Sequence, residues 1–255
     1  MKVSLIQTTV QWENHEANRQ NFARIINSID EHTDLVVLPE MFATGFTMKP
    51  ESVAEGMEGE TVQWMKAIAS QKGFAITGSL VIKEGGNYYN RLCFVYPDGS
   101  IKTYDKRHLF SLAGEDKAYT SGSEKLIVEY KGWKICPLVC YDLRFPAFSR
   151  NHEDYDLLLY VANWPSPRLQ AWDTLLKARS IENMCYTAGV NRVGQDENGH
   201  NYPGHSQVLD CLGNELAKAS DGEEVITISL DKEAMLQTRE RFGFLNDRDT
   251  YTMVK

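Results

Sequence analysis

At 255 residues with 42% hydrophobic side chains, the chain is long enough to bury a sizeable core. No repeat or Pro/Gly/Ser-rich linker interrupts it, so one α/β domain over residues 1–255 is expected. No stretch is long and apolar enough to cross a membrane, and a formal charge of −8 argues against gripping nucleic acid, which needs a concentrated basic face. The opening Met1-Lys2-Val3-Ser4-Leu5-Ile6-Gln7 lacks the apolar region and small-residue cleavage site of a secretory leader, so a cytoplasmic protein with reduced thiols is expected.

Residues 3–7 read as a strand. The spacing of Phe22, Ile25, Ile26 and Ile29 predicts an amphipathic helix over 14–29, and the all-apolar run 35–38 predicts a short buried strand stopped by Pro39. Val62, Met65 and Ile68 repeat the helical spacing over 61–71, with Gly73 placed to cap the end. Strands follow at 75–82 and 91–96, the second running into the turn Pro97-Asp98-Gly99. Residues 125–130 and 133–140 pair across Lys131-Gly132, and 157–162 is a further apolar strand. The strongest helix covers 168–184 through Trp172, Leu175, Leu176, Arg179 and Asn183. Strands at 187–193, 207–211 and 225–230 complete the chain, with Leu212-Gly213-Asn214 as a hairpin turn. Crossover helices mixed with hairpins predict α/β layers around mixed sheets, because hairpins demand antiparallel neighbours.

Three segments carry groups able to do chemistry. The run Ile135-Cys136-Pro137-Leu138-Val139-Cys140 ends in a thiol at the rim of a sheet, where backbone N–H groups are no longer used by the strand. Leu38-Pro39-Glu40 ends a strand in a carboxylate, and Asp105-Lys106-Arg107-His108-Leu109-Phe110 sets a lysine before an apolar pair. Taken singly, Cys140 reads as a buried small hydrophobe, Glu40 as a cap or surface carboxylate and Lys106 as a solvated lysine. Together they supply nucleophile, base and cation. The cysteines Cys93, Cys136, Cys140, Cys185 and Cys211 contain no C-x-x-C pair, and the histidines form no H-x-x-x-H or H-E-x-x-H pattern. Neither a metal nor another cofactor is therefore expected.

Leu38-Pro39-Glu40, Asp105-Lys106-Arg107-His108-Leu109-Phe110 and Val139-Cys140-Tyr141-Asp142-Leu143-Arg144-Phe145-Pro146 resemble, in order and separation, the three signature segments of the carbon–nitrogen hydrolase, or nitrilase, superfamily. The resemblance extends through Ala162-Asn163-Trp164-Pro165 and Asn191-Arg192-Val193-Gly194. Within the superfamily the chain looks most like the bacterial ω-amidases, which hydrolyse the terminal amide of 2-oxoglutaramate-type acids. It implies a four-layer αββα sandwich and a Glu40–Lys106–Cys140 triad working through a thioester. The oxyanion would be held by Lys106 and the backbone N–H of Tyr141. Glu115 matches a second glutamate of the family, with Asp116 and Glu124 as neighbouring alternatives.

Asp142 and Arg144 are expected to pair and fix the turn after the nucleophile. Arg168 is the candidate for a substrate carboxylate, against the alternative of a surface arginine, and Phe46 and Trp164 are candidate pocket walls. The implied substrate is a small amide. The alternatives are a nitrilase, an N-carbamoyl amidase or a non-catalytic binding protein that keeps the fold. A homodimer or higher homo-oligomer is expected, with Leu169, Trp172, Phe242 and Phe244 on the shared surface.

Overall fold

The computed structural model describes residues 1–29 and 32–253. In chain order the elements are β1 (Lys2–Gln7), α1 (His15–Asn27), β2 (Leu35–Val37), α2 (Pro50–Val53), α3 (Glu60–Lys72), β3 (Ala75–Glu84), β4 (Asn87–Val95), β5 (Ile101–Asp105) and α4 (Glu115–Ala118). The second half contains β6 (Val128–Tyr130), β7 (Trp133–Val139), α5 (Pro146–Ser149), β8 (Leu157–Ala162), α6 (Leu169–Asn183), β9 (Tyr186–Asn191), β10 (Val193–Gln195), β11 (Asn201–Pro203), β12 (Gln207–Leu209), β13 (Glu215–Lys218), β14 (Glu224–Ser229) and α7 (Lys232–Phe242).

Two six-stranded sheets result, ordered β14-β1-β2-β3-β4-β5 and β13-β12-β9-β8-β7-β6, and β10 pairs with β11 in a separate ribbon. Each large sheet has three parallel strands, β1-β2-β3 and β7-β8-β9, flanked by antiparallel neighbours. In the first sheet alternate residues face opposite ways, as a strand requires. Val3, Leu5, Leu35 and Val37 join the core shared with the second sheet. Ile6, Val36, Ile76 and Val95 pack instead with Phe22, Ile25 and Ile26 of α1 and Val62, Met65 and Ile68 of α3. On the second sheet α6 presses against β9, where Gly189 is required: a Cβ there would lie 2.6 Å from Leu176 and 2.7 Å from Trp172. The layers are those of the αββα sandwich.

Several expectations shift for local reasons. Asn14 caps α1 from outside, its Oδ1 accepting from the Ala17 N–H at 3.1 Å, so the helix starts one residue later than its apolar pattern. Helix α7 has a single buried residue, Met235, and so carries no apolar stripe to read. The run 187–193 breaks after Asn191, and the β10–β11 hairpin that follows is too polar to signal a strand. Trp172 is not part of a docking surface. It is fully buried within its own chain, with its ring N–H donating to the His205 carbonyl at 2.9 Å. Leu169 is half-buried against the same core. Phe242 and Phe244 are exposed and stack on each other at 5.2 Å.

Candidate active site

The parallel strands of both sheets deliver their carboxyl ends to one place, the usual seat of a ligand in open α/β sheets. Glu40 follows β2, Cys140 follows β7 and Asn163 follows β8. Past Pro39 the chain turns sharply, with Met41 at φ 43° and its N–H bonded to Ser79 Oγ at 2.9 Å. Gly78 on β3 admits this turn, since a Cβ there would meet Leu38 and Phe42 at 2.9 Å. Cys140 stands at φ 44°, a left-handed conformation that a non-glycine residue adopts at some cost. That kink converts β7 into a 3-10 turn over Cys140–Arg144. The Tyr141 N–H lies in its first turn, where an amide has no acceptor within the helix.

Lys106 lies one step beyond the Arg91–Asp105 pair of β4 and β5, opposite Asn90, and its N–H donates to the Asn90 carbonyl at 3.0 Å. Its carbonyl accepts from the Gly122 N–H at 3.0 Å. A Cβ at Gly122 would fall 2.2 Å from the Asp105 carbonyl, so the glycine is what lets the strand pass. The Lys106 ammonium is wholly buried and donates to Glu40 Oε1 at 2.9 Å and to both oxygens of Glu115, at 3.0 and 2.8 Å. Glu115 also accepts from the Phe110 N–H at 2.6 Å, whereas Asp116 and Glu124 are exposed. Glu40 Oε2 accepts from the Asn163 N–H at 2.9 Å, and the Asn163 Nδ2 donates to the Glu40 carbonyl at 2.7 Å. The Cys140 sulfur lies 3.9 Å from the Asn163 carbonyl oxygen.

Electrostatics follow from this burial. Desolvation and the charge of Glu40 push the Cys140 thiol well above its ordinary pKa, with Lys106 opposing, so Cys140 rests as a thiol and would need a base to act as a nucleophile. Burial disfavours the Lys106 ammonium, but Glu115 and Glu40 more than offset it and raise its pKa. Glu115 is raised as well, by burial first, against the pull of Lys106.

Above this cluster opens a cavity of about 540 Å³, lined by Cys140, Lys106, Phe46, Tyr141, Trp164 and Arg168 among others. Glu40 and Glu115 lie fully buried beneath it. Phe46 faces the lysine, whose Nζ is 5.3 Å from its ring centre.

One expectation is overturned. Asp142 does not pair with Arg144. Its Oδ2 accepts from the Tyr104 hydroxyl at 2.7 Å and the Val139 N–H at 3.0 Å, and its Oδ1 accepts from the His108 N–H at 3.0 Å and contacts His108 Nδ1 at 2.7 Å. Four contacts leave Asp142 no room for a guanidinium, and they tie the lysine segment to the end of β7. Arg144 is released into the cavity, where it lies over the Trp164 ring at 5.1 Å. No group of acids, histidines and cysteines among the described residues is arranged to hold a metal ion.

The family profile of carbon–nitrogen hydrolases matches residues 2–240. The chain belongs to this family. An omega-amidase, YafV, of Yersinia enterocolitica is 45% identical over 258 residues, spanning 100% of this chain and 99% of that protein. A 2-oxoglutaramate amidase of Bacillus subtilis is 32% identical, with 98% of each chain covered. The crystal structure of XC1258 from Xanthomonas campestris, a CN-hydrolase superfamily protein with an arsenic adduct in its active site, superposes with a TM-score of 0.97 at 43% identity. It covers 100% of this chain and 99% of its own.

In this carbon–nitrogen hydrolase the motif residues converge, but three participants escaped sequence reasoning. Asn90 gives no signal, because a lone asparagine reads as turn or surface, and Asn163 was legible only as part of the Ala162-Asn163-Trp164-Pro165 resemblance, with no role attached. Arg144 was legible only as part of a motif, and its freedom depends on what occupies Asp142.

Proposed function

We propose that this carbon–nitrogen hydrolase is an ω-amidase, releasing ammonia from the terminal amide of small 2-oxo or unsubstituted dicarboxylic acid monoamides. It would need no cofactor and act in the cytoplasm. The observation that carries the reading is a pair of unpaired guanidiniums in the cavity that ends at Cys140. Arg144 and Arg168 lie against aromatic faces, at 5.1 Å from Trp164 and 5.0 Å from Phe110, and their side chains donate to no acceptor among the described residues. Two of the three rim acids are engaged elsewhere: Asp196 accepts from the Asn198 and His200 N–H groups and the Tyr202 hydroxyl, and Glu13 accepts from the Thr47 hydroxyl, while Glu197 is exposed to solvent. A guanidinium grips a carboxylate with two parallel N–H bonds.

The chemistry is covalent. Glu40 takes the proton of the Cys140 thiol, and the thiolate attacks the amide carbon. Lys106 and the Tyr141 N–H stabilise the oxyanion, a contact worth about 3 to 4 kcal/mol per donor in comparable sites. Protonated Glu40 returns its proton to the departing nitrogen, ammonia leaves and a thioester remains. Glu40 then deprotonates water for attack on the thioester, and the regained proton goes to the sulfur as the acid departs.

A hydrolysis panel of succinamate, 2-oxosuccinamate, neutral amides of equal length, nitriles and N-carbamoyl amino acids tests the reading. A preference for neutral amides or nitriles overturns it. Arg144→Ala and Arg168→Ala should each lower kcat/KM on the anionic amides by roughly ten- to a hundredfold, the worth of a charge-assisted bond of about 1.5 to 3 kcal/mol. A neutral amide should be spared. Equal losses on both would assign these arginines to the fold.

The exposed Phe242–Phe244 pair supports self-association of the chain. Sedimentation should give at least twice the 29.0 kDa protomer mass, and Phe242→Glu with Phe244→Glu should shift it toward the protomer.

A further inference from the structure

We propose that Asn90 is a positioning residue that sets the charge state of the buried carboxylate pair. By donating to Glu40 and Glu115 at once, it lets both stay ionised beside a single lysine, so that the proton Glu40 receives comes from the Cys140 thiol. This rests on the reading of Glu40 as the base.

The Asn90 Nδ2 donates to Glu40 Oε1 at 2.8 Å and to Glu115 Oε1 at 3.1 Å, and the residue is fully buried. Among the described residues its own Oδ1 has no donor. An unmet buried acceptor is unfavourable for the fold, and an apolar side chain of similar size would avoid it. The amide cannot turn over to relieve it, because its oxygen would then face two carboxylates. The side chain is thus oriented for the carboxylates at the expense of its own acceptor.

Charge counting gives the reason. The three Nζ contacts of Lys106 all go to Glu40 and Glu115, so one positive charge faces two negative ones. Carboxylates sharing a site take up a proton readily, and hydrogen bonds to the charged forms resist this. The other titratable groups facing the pair are Cys140, Tyr119 and Tyr202. Neither tyrosine helps it, since the Tyr119 hydroxyl donates to the Thr47 carbonyl and that of Tyr202 to Asp196. Asn90 is the neutral side chain that bridges both acids.

The test needs no substrate. Alkylation of Cys140 by iodoacetamide, followed on its peptide by mass, is measured against pH in the full-length enzyme, below the range where the thiol ionises unaided. Asn90→Ala and Asn90→Leu should each move the acid limb up by about one pH unit or more, the effect of losing hydrogen bonds to charged groups. In a Glu115→Gln background, with no second carboxylate to share a proton, either substitution should move the limb by less than about half as much. An unmoved limb in folded Asn90→Ala, or equal shifts with and without Glu115, overturns the proposal, and Asn90→Ala suffices should Asn90→Leu fail to fold. Glu40→Gln separates the two ideas. A limb that persists there removes Glu40 as the base, whatever Asn90 does.

Discussion

Cys140→Ala should lose at least about a thousandfold in kcat, because removing the proposed covalent nucleophile removes the pathway itself. The fold should survive. Cys140 sits at φ 44°, a conformation alanine adopts at comparable cost, and losing one sulfur atom from a nearly buried site should change stability by about 1 kcal/mol. Thermal melting separates loss of chemistry from loss of structure. Wild-type enzyme quenched in acid during turnover should carry the acyl group as added mass on the Cys140 peptide, since acid halts the hydrolytic half before the thioester is released. Turnover undiminished in Cys140→Ala would end the thioester mechanism.

Lys106→Met should be costly twice. The ammonium is the counter-charge for two wholly buried carboxylates, with contacts of 2.8 to 3.0 Å. Removing one partner of a buried pair leaves uncompensated charge, at about 3–5 kcal/mol. For a chain of this size that corresponds to a fall in Tm of about 10 °C. The pH dependence carries the sign. The Glu115 pKa is already raised by burial, and loss of the opposing lysine raises it further. A carboxyl whose pKa is higher folded than unfolded favours the fold at low pH and loses that contribution as pH rises through the folded value. The deficit of Lys106→Met should therefore be largest above neutrality and shrink as pH falls toward the ordinary carboxylate range. Melting curves at about pH 5 and pH 8 decide this; equal deficits at both would contradict the buried-charge account. Turnover should fall by about a hundredfold or more with the loss of the proposed oxyanion donor.

How much was legible depends on how local the cause is. The runs 35–38, 133–140 and 157–162 announce strands because β2, β7 and β8 are buried almost throughout and have few polar positions. Pro39 and the polar segment after Cys140 mark where they stop. Gly73 is the left-handed cap of α3, as its position predicts. Ordered motif segments singled out Glu40, Lys106, Glu115 and Cys140, because each follows its own strand or turn and the spacing between segments is a property of the chain. Helix α7 was invisible for the converse reason: with one buried residue, it is held by long-range contacts such as the Arg239 guanidinium donating to the Met184 and Tyr155 carbonyls.

Partner choice is what only the tertiary structure decided. Asp142 and Arg144 are two residues apart and carry opposite charges, and the chain alone pairs them. In the fold Asp142 is claimed by Tyr104 and His108, 38 and 34 residues away, and Arg144 turns into the cavity. Asn90 lies 50 residues from Glu40 and 25 from Glu115, and reaches both because β4 runs beside β3 on one side and β5 on the other. The sequence by itself determined which groups can do chemistry and the strand ends that carry them. Which of them stand charged, paired or free was decided by packing two sheets face to face, since a hydrogen bond or ion pair in the interior goes to whichever partner the fold brings within about 3 Å.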